Sequence, residues 1–90
     1  MVEIMIEEEE KVKKKDIEKH TLVLFNDDEH PMDYVVSCLI GACQHSPLQA
    51  EQCTIIAHHK GKCDVKSGTM PYLRHINQML AQAGLTTEIQ

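Results

Sequence analysis

Apolar positions along this 90-residue chain fall into runs with two distinct periods. Thr21-Leu22-Val23-Leu24-Phe25 is a short β-rich run halted by Asn26-Asp27-Asp28, which predicts a strand followed by turn formers. Met32, Val35, Val36, Leu39, Ile40 and Cys43 then recur at offsets 0, 3, 4, 7, 8 and 11, a helical stripe opened by Pro31. Ser46-Pro47-Leu48-Gln49 is a second helix start, with Ser as N-cap, Pro in the first turn and Gln as capping-box partner. Ala50, Cys53, Ile56 and Ala57 form the expected buried face of that helix, which ends at His59-Lys60-Gly61. Lys62–Val65 reads as a weaker strand. Gly68-Thr69-Met70-Pro71 opens a third helix carrying Leu73, Ile76, Met79, Leu80 and Ala83 on one side and closing at Gly84. Leu85, Thr87 and Ile89 alternate with Thr86 and Glu88 as a final strand. The order β-α-α-β-α-β predicts a small α/β domain. Its helices pack on one face of a short, mainly antiparallel three-stranded sheet.

The first nineteen residues follow neither period. Glu7–Glu10 form an acidic block, Lys11–Lys15 are basic apart from Val12, and twelve of the nineteen are charged. Such a segment buries too little to offset its ordering entropy, so residues 1–19 are expected to be a mobile tail and residues 20–90 the folded domain.

Composition narrows the function classes. An apolar fraction of 42% supports a core, built from aliphatic residues because Phe25, Tyr34 and Tyr72 are the only aromatics. The net charge of −5 argues against nucleic acid, whose binding needs clustered Lys and Arg to displace counterions. No apolar run approaches the roughly 20 residues that span a bilayer, and no signal-peptide pattern opens the chain, so a cytoplasmic location is expected. The cysteines Cys38, Cys43, Cys53 and Cys63 lack the close pairs of a zinc site. The first three sit in expected helices, which predicts reduced core thiols.

Two stretches carry candidate chemistry. Asn26–Asp33 holds Asp27, Asp28, Glu29 and Asp33 with no Lys or Arg, between a strand and an apolar helix. Acids suit a helix start, where they meet the positive end of its dipole. They equally suit convergence on a cation: a metal, a basic side chain or a free amino terminus. The spacing does not supply the Gly-containing frame of six or more oxygens that Ca²⁺ needs. The second stretch is His58-His59-Lys60-Gly61. Adjacent helical side chains point about 100° apart, so one histidine alone can line a given pocket. Either could face Asp27 or Asp28 as an acid/base couple or serve as a charge partner at the helix end. No G-x-S-x-G or phosphate-cradling Gly loop accompanies them.

Leu22-Val23-Leu24-Phe25-Asn26-Asp27-Asp28, then Pro31-Met32-Asp33-Tyr34-Val35-Val36, then His58-His59-Lys60-Gly61-Lys62, closely resemble the ClpS family. Those adaptors deliver proteins with destabilising N-terminal residues to a Clp AAA+ unfoldase–protease. The resemblance is tight over residues 20–63 and extends in element order to Gln90. It implies that Asn26, Asp27 and Asp28 hold the α-amino group of a bound N-terminal residue and that His58, not His59, is the pocket histidine. It further implies that Met32 gates the pocket mouth and that Val35, His30, Thr54, Ala57 and Leu85 line it. No catalytic residue, metal or cofactor is implied. The implied partners are N-degron substrates and the N-terminal domain of a ClpA- or ClpC-like unfoldase, with no nucleic acid and no membrane; the charged leader would help in substrate hand-off.

This sequence also departs from the family pattern. Thr54 and Ala57 stand where larger apolar residues are common, which suggests a roomier or more polar wall. Ser67–His75 lacks the usual Ala/Glu-rich helix opening, so unfoldase-docking residues do not transfer. Two other readings remain: a ClpS-like interaction domain without N-terminal-residue specificity, and a small acid/base or metal enzyme using Asp27, Asp28 and His58.

Overall fold

The computed structural model describes residues 18–90; the expected tail lies almost wholly outside them. Strand β1 (Lys19–Phe25) leads to helix α1 (Met32–Cys43) and helix α2 (Pro47–Lys60). Strand β2 (Lys62–Thr69), helix α3 (Met70–Gln82) and strand β3 (Thr87–Ile89) follow. Both neighbours of β1 run antiparallel to it, in the sheet order β2-β1-β3. The expected order and the sheet with helices on one face are both present.

β2 runs four residues beyond the expected Val65. Lys66, Ser67 and Gly68 have little intrinsic strand preference, but β1 supplies their ladder, with Leu22 opposite Lys66 and Lys19 opposite Thr69. The register shifts between Leu22 and Val23, whose partners are Lys66 and Asp64, leaving Val65 as the bulged residue. Val65 is buried, and its carbonyl lies 2.6 Å from Nε2 of the buried His45.

The α1 stripe divides into two rows. Val35, Leu39 and Cys43 are buried beneath the sheet, whereas Met32 and Ile40 are exposed and Val36 is half-buried. On α2 the buried face is Ala50, Thr54 and Ala57; Ile56, expected inside, is 40% exposed and Cys53 is half-buried. Small residues on this face let the helix sit close to its neighbours, which a larger side chain would prevent. Thr54 is tolerated inside because its hydroxyl donates to the Ala50 carbonyl at 2.8 Å. Leu73, Ile76 and Leu80 fill the core from α3, while Met79 is exposed.

Caps fix the helix ends. The Ser46 hydroxyl accepts from the Gln49 N–H at 3.2 Å at the start of α2. Gly61, at φ 92°, ends it by donating its N–H to the Ala57 carbonyl at 2.9 Å. Lys66 of β2 donates to the Cys43 carbonyl at 2.9 Å, satisfying an orphan acceptor at the C-terminus of α1. All four cysteines are free thiols; Cys43 is buried, and Cys38, Cys53 and Cys63 are half-buried.

Candidate functional site

The β1–α1 loop is held against the end of α2. Asn26 donates its backbone N–H to the Gly61 carbonyl at 2.9 Å, beside the Phe25–Lys62 pairing that starts the β1–β2 ladder. This contact brings Asn26 and Asp27 alongside the last turn of α2, where His58 lies. Between them is a small cavity lined by Leu24, Phe25, Asn26, Asp27, His30, Met32, Val35, Thr54, Ala57 and His58.

Eight of the ten expected site residues meet here: Asn26, Asp27, His30, Met32, Val35, Thr54, Ala57 and His58. Asp28 is outside the cavity, in an adjoining polar cleft with Asn26, Asp27, Glu29, Gly84 and Thr86. It still acts on the rim, because its Oδ1 accepts from the Asn26 amide at 3.3 Å and leaves the amide oxygen as an acceptor. Leu85 is a core residue and not among the lining side chains. Leu24 and Phe25 do line the cavity although neither was expected to; their position immediately before the Asn-Asp-Asp turn was the available signal.

The electrostatic centre is Asp27. Its Oδ1 accepts from the backbone N–H of Glu29 at 2.8 Å and of His30 at 3.1 Å. Its Oδ2 lies 2.5 Å from His30 Nδ1. Burial works to raise the pKa of this carboxyl, but the His30 side chain and the two backbone N–H groups outweigh it and hold it below the usual value. Asp27 is therefore a preorganised anion at neutral pH. An Asp–His couple is present, but its histidine is His30 rather than His58 or His59.

His58 and His59 meet edge to face, with ring centroids 5.3 Å apart, and both are exposed. His58 lines the cavity and His59 does not. His58 thus lines the cavity from an exposed position. Met32, 42% exposed, also borders a second apolar groove between α1 and α2, with Asp33, Val36, Ser37, Glu51 and Ile55. Among the described residues no cluster of three or more His, Cys, Asp or Glu side chains is placed to hold a metal ion.

Fold and site define a small α/β domain that sets acceptor oxygens and an imidazole around a narrow apolar cavity. The family model for the ATP-dependent Clp protease adaptor protein ClpS matches residues 15–87, most of the chain, and the chain belongs to that family. It is accordingly an adaptor of ATP-dependent proteolysis, not itself a protease. A solved structure of Agrobacterium tumefaciens ClpS2, bound to L-phenylalaninamide, has the same fold with a TM-score of 0.65 and 21% identity, covering 80% of this chain and 96% of that one. Comparison with curated protein sequences found no match.

Proposed function

We propose that the cavity binds the free α-ammonium and the large apolar first side chain (Leu, Phe, Tyr or Trp) of N-degron proteins. The observation that carries this reading is one apolar cavity with Asn26, Asp27 and His58 together on its lining. An α-ammonium has three N–H donors and a positive charge. Ionised Asp27 supplies the counter-charge, the Asn26 amide oxygen is an acceptor, and a neutral His58 accepts from the ammonium or donates to the first carbonyl. Hydrogen bonds to charged groups contribute about 1.5–3 kcal/mol each. Leu24, Met32, Val35 and Ala57 offer apolar surface to the first side chain, whose burial adds roughly 1.5–3 kcal/mol. The ligand of the ClpS2 relative, L-phenylalaninamide, has this chemistry: a free amine beside an aromatic side chain. Each group is used in holding the ligand, and none is needed to break a bond.

Residues 20–90 are assigned the binding role and residues 1–19 that of a leader in hand-off. The recipient is the N-terminal domain of a ClpA- or ClpC-like AAA+ unfoldase, in the cytoplasm. No helix among the described residues is long and apolar enough to cross a membrane. Titration with labelled peptides that differ only at residue one, each free or acetylated, tests the proposal. Acetylation removes the charge and leaves Asp27 without its partner, so affinity should fall by at least about 2 kcal/mol, roughly thirtyfold. Equal affinity for free and acetylated peptides would overturn it.

A further inference from the structure

His30 is the side chain bonded to the one Asp27 oxygen that the backbone leaves open, at 2.5 Å. The imidazole is itself fixed from two sides. One face stacks on Tyr34 of α1, with ring centroids 4.8 Å apart and planes 17° from parallel. Its far edge meets the turn after α3, where a Cβ added at Gly84 would lie 3.1 Å from Cε1 and 3.2 Å from Nε2. Gly84 sits at φ 91°, and the Tyr34 hydroxyl donates to the Ala83 carbonyl at 2.5 Å, so the same turn holds both rings. Two segments far apart in sequence, Asp27–Tyr34 and Ala83–Gly84, converge to set one imidazole against one carboxylate.

We propose that His30 is a positioning residue that presents Asp27 to the bound α-ammonium and makes that recognition sensitive to pH. This rests on the reading of the cavity as an N-terminus site. With His30 neutral, Nδ1–H donates to Oδ2, orients the carboxylate and leaves its charge for the ligand. With His30 protonated, a second cation stands beside Asp27 and competes with the ammonium. The titratable groups that face His30 are Asp27 from its own loop and Tyr34 from α1. The α3–β3 turn presents Ala83 and Gly84, which carry no charge. His58 lies elsewhere on the same cavity lining, so the His30 contribution is read as a difference between proteins that both keep His58.

The test measures affinity for a Phe-initial peptide, free and acetylated, by fluorescence anisotropy on wild type, His30→Ala and His30→Asn. The Asn amide nitrogen falls where Nδ1 stands, donates, and cannot become charged. His30→Ala should weaken the free peptide about tenfold more than the acetylated one, because the oriented carboxylate–ammonium bond is available to the free peptide alone. His30→Asn should recover most of the affinity at pH 7.5 and decline less than wild type between pH 7.5 and 5.5. Equal loss for free and acetylated peptides in His30→Ala, failure of His30→Asn to recover affinity, or parallel pH profiles for His30→Asn and wild type would each overturn the proposal. If His30→Ala does not fold, the His30→Asn pH profile decides alone. A wild type that does not discriminate free from acetylated peptide overturns the site reading. A wild type that discriminates, with His30→Ala doing so equally well, overturns the role of His30 alone.

Discussion

Asn26 and Gly61 are 35 residues apart in sequence, and the 2.9 Å bond from the Asn26 N–H to the Gly61 carbonyl is where the acidic loop and the α2 histidine are brought together. Gly61 does two jobs in one peptide unit. Its N–H closes α2 onto Ala57, and its carbonyl receives the loop. Both depend on a backbone turned to φ 92°, which residues with a Cβ adopt at a cost.

Gly61→Ala should therefore destabilise the domain by about 1 kcal/mol, since the added Cβ meets nothing within 4 Å and the cost is conformational strain alone. Urea unfolding measures it. Peptide affinity should fall as well, because the loop carrying Asn26 and Asp27 shifts with the cap. A variant that lost stability without losing affinity would show the loop to be held by other contacts.

The element order was legible because it rests on local signals. The Met32–Cys43 stripe, the Ser46 cap and Gly61 each act over one or two helical turns. Lys66-Ser67-Gly68 was not legible as a strand, since its extended form is imposed by pairing with β1 across the chain. Ile56 was placed inside because apolarity predicts burial on average. The buried α2 face instead falls on the smaller Ala50, Thr54 and Ala57, which permit close approach. Candidate residues were legible one by one through the resemblance to a family pattern, and eight of those ten line one cavity. The partnerships were not. That Asp27 pairs with His30, and that Asp28 works through the Asn26 amide, depends on side-chain geometry inside a loop.

Met32 lines the cavity and also borders the α1–α2 groove, so its unbranched side chain stands between the two. If the cavity holds a first residue as proposed, branching at Cβ brings bulk close to the ammonium, where Met32 would restrict the space. Forcing extra carbon into a packed site costs typically about 1–3 kcal/mol. Met32→Ala should relieve that cost and raise affinity for Ile- and Val-initial peptides relative to Leu by about fivefold or more. An unchanged Leu/Ile ratio would remove Met32 from the gate.

Two thiols predict the alkaline limb of stability. Burial pushes the Cys43 thiol up to about 11, with Lys66 opposing and Cys53 assisting. Burial, a hydrogen bond with Cys53, and the charges of Cys53 and Asp64 push Cys63 up to about 12. The fold favours the neutral thiol in both cases. Their stabilisation is complete below the unfolded value, near 8.5, and is lost as pH rises towards 11 and 12. Urea midpoints should fall between pH 8.5 and 10.5, and fall less steeply in Cys43→Ala/Cys63→Ser, whatever that variant's starting stability. Equal slopes would show that these thiols do not control the limb.

The two adjacent histidines separate the site from its surroundings. His58 lines the cavity and His59 does not, although both are exposed and their rings touch edge to face. His58→Ala should remove a hydrogen bond to the bound N-terminus, at a cost of about 1–2 kcal/mol in peptide affinity. That is modest for a charged ligand because water can replace part of the contact at an exposed position. His59→Ala should cost only a few tenths of a kcal/mol, as surface changes usually do. Losing the edge-to-face contact affects both variants alike, so it cancels in the comparison. Isothermal titration of one Leu-initial peptide against the two variants is sufficient, and matching affinities would take His58 out of the site.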